Sequence, residues 1–225
     1  MDPIDNILNS LQNNVRQVET LSQNIANANT PGYLGQQVFS VNSGDGVGEL
    51  ITTHNTPSES ALKNTGRSLD IALLNQGFLL VEKEGEVLIT RNGRLHIDGN
   101  GFLNHASGAR VLGQNGPIEL PNGSVEINKQ GIVHVDGEAL DTLSTATAAD
   151  THSLIAEGYG LYRSAKQLLP IENAIQQGAI NDASVQVSTD MVRMIELSRH
   201  TQSLQKAVQA IDQIANAGIN ELGKR

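Results

Sequence analysis

The side chains that could bind a metal or act as nucleophiles are sparse in this 225-residue chain. Cysteine is absent, which removes disulfides, thiolate ligands and thiol nucleophiles. The six histidines are His54, His96, His105, His134, His152 and His200. No two of them have the three- or four-residue spacing that brings imidazoles together on one helix face, and no H-E-x-x-H motif occurs. The sequence therefore predicts no zinc site and no cofactor.

Carboxylates and serines also form no recognisable catalytic pattern. Glu82, Glu84 and Glu86 alternate around a predicted turn, which is typical of a solvated hairpin, although their spacing leaves a paired acid/base site open. The loop that begins Asp98-Gly99-Asn100 has Phe102 where a calcium loop needs an oxygen ligand. No G-x-S-x-G elbow is present. We expect no enzymatic activity and no small-molecule substrate.

Composition and charge argue against two further classes of partner. The formal net charge is -9 and the pI is near 5.0, so the surface repels a nucleic-acid backbone. No apolar run approaches the length of a membrane-spanning helix, about 20 residues. The start, Met-Asp-Pro-Ile-Asp, lacks the basic and apolar regions of a cleaved secretory signal. We predict no nucleic-acid binding, no membrane insertion and no cleaved signal peptide.

Both ends of the chain carry the apolar spacing of an amphipathic helix. The amino-terminal stripe contains Ile4, Leu8, Leu11, Val15, Val18, Leu21 and Ile25. The carboxy-terminal stripe contains Met191, Met194, Thr201, Leu204, Val208, Ile211 and Ala215, with Ile195 and Leu197 beside it. Stripes this narrow suit a coiled-coil partner, and alone they bury too little apolar area to offset the cost of ordering the helices. We expect the helices to pair with each other or with neighbouring chains; the alternative is that they are surface helices packed on a globular core.

The middle of the chain has the pattern of an antiparallel β domain. Short apolar runs alternate with turn dipeptides that favour positive φ angles: Asn92-Gly93, Asp98-Gly99, Asn100-Gly101, Asn115-Gly116, Asn122-Gly123 and Asp136-Gly137. Asn122-Gly123-Ser124 also fits a glycosylation triplet, but its simpler role is a turn. With three Phe, three Tyr and no Trp, the core must be largely aliphatic.

The predicted fold class is therefore α+β, with an all-β domain inserted between two coiled-coil-like terminal helices. The predicted division is an amino-terminal helix over residues 1–33, an extended connector over 34–66 that could pair locally as a hairpin, the β domain over 67–164, a connector over 165–179 and a carboxy-terminal helix over 180–225. We also predict a short helix after Pro170 in the second connector.

The first helix ends abruptly in the stretch LSQNIANANTPGYLG, residues 21–35. Pro31 cannot continue a helix, it extends Thr30, and Pro31-Gly32 fits the centre of a type II turn. A plain helix stop needs no more than this. The three nearby asparagines, Asn24, Asn27 and Asn29, and the aromatic Tyr33 suggest in addition a surface that another molecule contacts.

Three segments together resemble the bacterial flagellar rod and hook protein family. They are NIANANTPGY at residues 24–33, LDIALLNQGFLLVEKEGEVLITRNGRLHIDGNGFLNHASGARVLG at residues 69–113 and MVRMIELSRHTQSLQKAVQAID at residues 191–212. They follow in the family's order and span nearly the whole chain. The short segment after the β domain and the motif RMIELSR look most like a proximal-rod member; distal-rod and hook-type members are the alternative.

This resemblance implies a structural role in the flagellum. Members of the family leave the cell unfolded through the flagellar type III export apparatus and polymerise helically into the shaft between motor and filament. It implies self-association, contact with other axial proteins and a location in the periplasmic rod of the basal body. The predicted subunit-contact residues are Leu11, Val15, Val18, Asn24, Ile25, Asn27, Asn29, Thr30, Pro31, Gly32, Tyr33, Met191, Met194, Arg199, Leu204, Val208 and Ile211.

The sequence departs from the family pattern at several of these places. Ala183-Ser184-Val185-Gln186 stands where Ser-Asn-Val-Asn is common, and Leu34 and Gly35 stand where basic residues are common. Leu204 occupies a position usual for asparagine, and no aromatic residue follows Arg199 two positions on. Two other classes of function remain open on the residues alone. A glycan-binding secreted β domain is opposed by the shortage of aromatics, and a carboxylate-based hydrolase would need Glu82, Glu84 or Glu86.

Overall fold

The computed structural model describes residues 3–42, 49–55 and 61–222. The chain divides into two compact units. The helical unit comprises Met1–Ala26, Gln37–Thr53 and Gln186–Arg225, and the β unit comprises Asn27–Gln36 and His54–Val185. The α+β class and the order helix, β region, helix are confirmed.

The helical unit is built on two long helices, α1 (Pro3–Ala26) and α2 (Val187–Leu222). Helix α1 ends at Ala26, before Pro31, which cannot continue a helix. Of the residues in the predicted stripes, Ile4 and Ala215 have side chains outside the described set. No helix in the described ranges is both long and apolar enough to cross a membrane.

Short strands make up the rest of the regular structure. In chain order they are β1 (Gln36–Asn42), β2 (Glu49–Asn55), β3 (Leu62–Asn64), β4 (Ile71–Leu73), β5 (Phe78–Lys83), β6 (Glu86–Thr90), β7 (Leu95–Ile97), β8 (Leu103–His105), β9 (Arg110–Gly113), β10 (Gly116–Pro117), β11 (Val125–Ile127), β12 (Ile132–Val135), β13 (Glu138–Thr142), β14 (Thr145–Ala148), β15 (Leu154–Gly158), β16 (Leu161–Ser164), β17 (Leu168–Pro170), β18 (Ile175–Gln177) and β19 (Ala179–Asn181). A single 3₁₀ turn, Thr151–Ser153, precedes β15.

The largest sheet follows the path β15-β16-β6-β5-β9-β8-β7, with β10 on β9 and β14 joining β5 to β17. A three-stranded sheet, β11-β12-β13, and the pairs β18–β4 and β19–β3 complete the β unit. Strands β1 and β2, from the predicted first connector, form a separate two-stranded sheet. Residues 43–48 of that connector lie outside the described ranges.

Tight turns fix the register of these hairpins. Strands β5 and β6 pair from Leu79 opposite Thr90 to Lys83 opposite Glu86, which leaves Glu84-Gly85 as a two-residue loop with both φ angles positive. Asp136-Gly137 closes β12 and β13 in the same way, as its sequence predicts. The carboxylates at 82, 84 and 86 therefore surround a hairpin turn.

The large sheet has a hydrophobic cluster on each face. Leu79 and Val81 of β5 belong to the larger cluster, which consists of aliphatic side chains such as Leu103, Val111 and Val133. Phe78 belongs to the smaller cluster with Ile89, Tyr162 and Leu34, among others. The alternation of β5 side chains between two covered faces explains its nearly continuous apolar sequence.

The second predicted connector, residues 165–179, differs from the prediction. The short helix after Pro170 is not formed; β17 ends at Pro170, and β18 pairs with β4 further along. Ile175 and Ala179 are buried, so this segment adds apolar side chains to the β unit instead of crossing its surface. Pairing with strands about a hundred residues earlier in the chain overrides the weak local preference for a turn of helix.

Candidate functional site

Two polar contacts set the pairing of α1 and α2. The amide Nδ2 of Asn14 donates to His200 Nδ1 at 2.8 Å, and Asn24 Nδ2 donates to Asp190 Oδ2 at 3.4 Å. The contacts run in opposite directions along the two helices, so the helices are antiparallel. Asn14, Asn24 and Asp190 are all buried. Polar contacts of buried side chains between helices favour one register at some cost in stability, because a slip along the helices would break these contacts.

The apolar seam between the two helices is only partly closed. Leu21 is the one apolar side chain that is buried among those described for α1 and α2. The remaining seam residues are half-buried: Leu11, Val18, Ile25, Met194, Leu197, Leu204, Val208 and Ile211. The helix pair therefore shelters less apolar surface than its sequence provides.

Five large apolar side chains of the helix pair are exposed. Leu8 and Val15, seven residues apart, are each 46% exposed. On α2, Met191, Val192 and Ile195 are 49%, 57% and 55% exposed. We call these five residues the outer apolar face. Val15 and Met191 belong to the predicted contact set, whereas Val192 was missed because it lies outside the narrow stripe.

Helix α2 is longer than α1, so the carboxy-terminal end of α2 has no part of α1 opposite it. The contacts of Asn14 with His200 and of Asn24 with Asp190 share one register, in which Pro3 falls opposite Ile211. Helix α2 continues to Leu222. Its final residues, 212–222, thus extend about 16 Å beyond the start of α1 at the α-helical rise. We call them the α2 extension.

The segment after α1, residues 27–36, is part of the β unit. The predicted Pro-Gly turn is present: Tyr33 N donates to Thr30 O, and Gly32 has a φ of 66°. Gly32 N donates to Asn181 O at 2.9 Å. A Cβ at Gly32 would collide with the main chain of Arg91 and Asn92, so only glycine fits there. The turn is therefore packed against the same chain.

Tyr33 and Leu34 are buried in that arrangement. Tyr33 is 5% exposed, burial raises its pKa to about 12, and its hydroxyl has no hydrogen-bond partner among the described residues. Leu34, 1% exposed, joins the smaller hydrophobic cluster, and its N–H donates to the Tyr162 hydroxyl at 2.8 Å. Burial also raises the pKa of Tyr162, which keeps that hydroxyl protonated.

The outgoing chain, residues 181–185, runs beside this segment. Ser184 N donates to Tyr33 O at 2.9 Å, and Gly35 N donates to Ser184 Oγ at 2.8 Å. A Cβ at Gly35 would lie 2.5 Å from the Ser184 carbonyl oxygen. Two departures from the family pattern, Gly35 and Ser184, thus pack against each other. We call residues 27–36 and 181–185 together the junction.

Two residues that the sequence analysis missed hold the junction in place. The carboxamide of Asn181 exchanges hydrogen bonds of 2.8 and 2.9 Å with the main chain of Leu73. The buried Arg91 donates from Nη1 to the carbonyls of Asn75 and Gly77, and burial lowers its pKa. Arg91 lies directly before an Asn-Gly turn, but nothing in that short pattern shows that its guanidinium is buried.

The other predicted contact residues lie around these features. Thr30 Oγ1 donates to Asn27 Oδ1 at 3.3 Å, which ties the end of α1 to the turn. Pro31 is half-buried and Asn29 is exposed. Arg199 is exposed on α2, and its carbonyl accepts from Ser203 Oγ.

The histidines and carboxylates considered for metal binding or catalysis lie in varied surroundings within the described part of the molecule. No group of three metal-binding side chains lies together among the described residues. Glu86 forms an ion pair of 2.9 Å with Arg163 at an exposed site. His105 is fully buried, and burial, with a smaller effect from His96, lowers its pKa to about 4. Its imidazole is therefore neutral near pH 7.

A β region inserted between two paired helices, with apolar helix side chains left exposed, is the architecture of a structural protein. Three family models match the chain: a flagella basal body rod protein model at residues 4–33, the D1 domain of flagellar hook proteins FlgE/F/G at residues 72–135, and the carboxy-terminal model of flagellar basal body rod FlgEFG proteins at residues 176–222. The chain belongs to the flagellar rod and hook protein family and is close to its FlgF members.

Full-length relatives support this assignment. The chain is 26% identical to the flagellar basal-body rod protein FlgF of Caulobacter vibrioides, with 93% of each chain covered. It is 29% identical to FlgF of Salmonella typhimurium, covering 90% of this chain and 83% of that protein. It is also 24% identical to FlgG of Bacillus subtilis, covering 95% and 96%.

Proposed function

We propose that this chain is the proximal-rod subunit of the bacterial flagellar basal body. In this role it polymerises helically with copies of itself and with other axial proteins, and the resulting shaft carries torque from the motor towards the hook and filament. The family and the similarity to FlgF proteins support a structural rod subunit. The observation that carries the assembly is the outer apolar face, which stays about half exposed in the single chain.

The energetics favour burial of this face by neighbouring chains. Fully burying one large apolar side chain contributes about 1.5–3 kcal/mol, so covering the exposed half of five such side chains contributes on the order of 5 kcal/mol. That contribution is available only in an assembly. Association through helices also leaves the β unit, with its own covered clusters, free to act as a stiff body within the shaft.

We assign the subunit contacts to the exposed and half-buried members of the predicted set. On α1 these are Leu11, Val15, Val18 and Ile25, after α1 they are Asn27, Asn29, Thr30 and Pro31, and on α2 they are Met191, Met194, Arg199, Leu204, Val208 and Ile211. Gly32 and Tyr33 act within the chain, because they are buried in the junction. Export through the flagellar type III apparatus, without a cleaved signal, would deliver the subunit to the periplasm.

The test places charges on the outer apolar face. The double variant Val192→Asp/Ile195→Asp is expressed in a flagellated strain that lacks its own copy of the gene, with Val192→Ile/Ile195→Val as the matched control. We expect the aspartates to abolish swimming and rod assembly, since unpaired charges cannot be buried between helices. The apolar control keeps both. Intact rods with the double aspartate variant, seen by electron microscopy of basal bodies, would contradict the proposal.

A distal-rod position, the alternative from the sequence analysis, is the second candidate, and the chain is similar over nearly its whole length to a second kind of rod protein, FlgG of Bacillus subtilis. Helical reconstruction of basal bodies carrying a labelled copy of this chain separates the two positions along the rod.

A further inference from the structure

The chain contains four Asn-Gly pairs, at Asn92, Asn100, Asn115 and Asn122. The four pairs differ in burial and in hydrogen bonding. In such a pair the main-chain nitrogen of the glycine can attack the asparagine Cγ. The N–Cγ bond forms, the Cγ–Nδ2 bond breaks, and the proton of the attacking nitrogen leaves with the amide as ammonia. Water then opens the succinimide ring to give an aspartyl or an isoaspartyl residue. The reaction needs a movable asparagine side chain and an unbonded glycine N–H.

Three of the pairs are held against this reaction. Asn92 is buried, and its Oδ1 accepts from Arg94 N at 3.1 Å. At Asn100 the attacking nitrogen is engaged, because Gly101 N donates to Asp98 O at 3.1 Å. Asn115 is clamped, because both its main-chain N–H and its Nδ2 donate to the carboxylate of Asp141.

The fourth pair has none of these restraints. Asn122, Gly123 and Ser124 are all exposed, between Pro121 and β11. Within the described part of the chain, neither the Asn122 amide nor the Gly123 N–H makes a hydrogen bond. The next residue is fixed, because Ser124 N donates to Asp136 Oδ1 at 2.8 Å. The Cα of Gly123 packs beside the Asp136 carboxylate, but its N–H, the attacking group, carries no hydrogen bond among the described residues.

We propose that Asn122-Gly123 is a site of spontaneous deamidation in the folded protein, yielding aspartyl and isoaspartyl forms at position 122. The product carries a new carboxylate in the turn that already holds Asp136. The isoaspartyl form also lengthens the main chain by one methylene immediately before β11. The modification makes the chain more acidic by one charge.

The test compares the deamidation rate of each Asn-Gly pair in the folded chain with its rate in the unfolded chain. Full-length protein is incubated at mildly alkaline pH with and without denaturant, and deamidation at each site is quantified by peptide mapping with mass spectrometry and isoaspartyl methyltransferase labelling. At Asn122 we expect the folded and unfolded rates to be similar. At the three restrained sites we expect the folded rate to be lower by about fivefold or more, the factor that one hydrogen bond represents.

The variant Asn122→Gln is the matched control, because its longer side chain cyclises far more slowly. We expect it to remove most of the acidic form seen on isoelectric focusing of aged folded protein and to leave the other three sites unchanged. The proposal fails if Asn122 is protected in the folded chain as strongly as Asn115, or if the acidic form persists in the glutamine variant.

Discussion

At the scale of single residues, the packing around the junction depends on a glycine, Gly32, and on two buried polar side chains, those of Arg91 and Asn181. Gly32 combines a left-handed φ with direct packing on the main chain of Arg91 and Asn92. Arg91 and Asn181 use their side chains to bond carbonyls and amides of other segments. Gly32, Arg91 and Asn181 therefore act in the interior of the β unit.

Replacing Gly32 by alanine tests this packing. We expect Gly32→Ala to destabilise the protein by about 2–4 kcal/mol, the sum of a left-handed φ and a clash with main-chain atoms. Urea unfolding followed by circular dichroism measures it. Gly108, with a φ of 82° and open space around its Cα, is the control. Gly108→Ala should cost only about 1 kcal/mol, from the φ angle alone. Equal losses in the two variants would show that the packing of Gly32 contributes nothing.

The burial of His105 predicts a loss of stability in mild acid. Because the folded state lowers the His105 pKa from 6.5 to about 4, it disfavours the imidazolium relative to the unfolded chain. The stabilisation is complete above pH 6.5 and is lost as the pH falls towards 4, by about 3 kcal/mol in all. The urea midpoint of the native protein should fall more steeply between pH 7 and 4 than that of His105→Asn, whose Oδ1 can still accept from Ser107. If the urea midpoints of the native protein and of His105→Asn fall in parallel with pH, the burial of His105 does not cause the loss of stability.

At the scale of elements, the terminal helices and the β hairpins were the predictable part of the fold. Spacing of apolar residues by three and four predicts α1 and α2, and Asp136-Gly137 predicts the turn between β12 and β13. Strands β17 to β19 were not predictable, because each has only three residues and β18 and β19 pair with strands more than a hundred positions earlier. The junction was missed for the same reason: Tyr33 and Leu34 are covered by residues remote in sequence.

Charged substitutions in the helix seam should disrupt the helical unit and leave the unfolding transition of the β unit intact. Leu204 and Val208 are half-buried on α2, so Leu204→Asp/Val208→Asp should lower the helical circular dichroism signal and abolish motility. The cooperative unfolding of the β unit should persist, because its two hydrophobic clusters contain neither residue. Gln202→Asp/Gln209→Asp adds the same charge at exposed positions of α2 and should leave the helix signal unchanged. Normal swimming of the seam variant would contradict the role of the seam.

At the scale of the whole molecule, the two units meet different requirements. The β unit buries its apolar residues within the chain, in clusters that contain most of the molecule's buried aliphatic side chains. The helical unit buries asparagines and an aspartate while leaving valine, isoleucine and methionine exposed. A net charge of -9 keeps separate chains apart until specific contacts form. The sequence predicted this division of roles from the width of its apolar stripes.

The α2 extension has a consequence for how many copies an assembly contains. If this projecting helix end packs on a different surface of the next molecule, the contact is head-to-tail, and such contacts form an open stack unless the rotation between copies closes a ring. A stack built in this way has no intrinsic end. Its length must then be decided elsewhere, by the supply of subunits or by a dissimilar protein that occupies the last free projection.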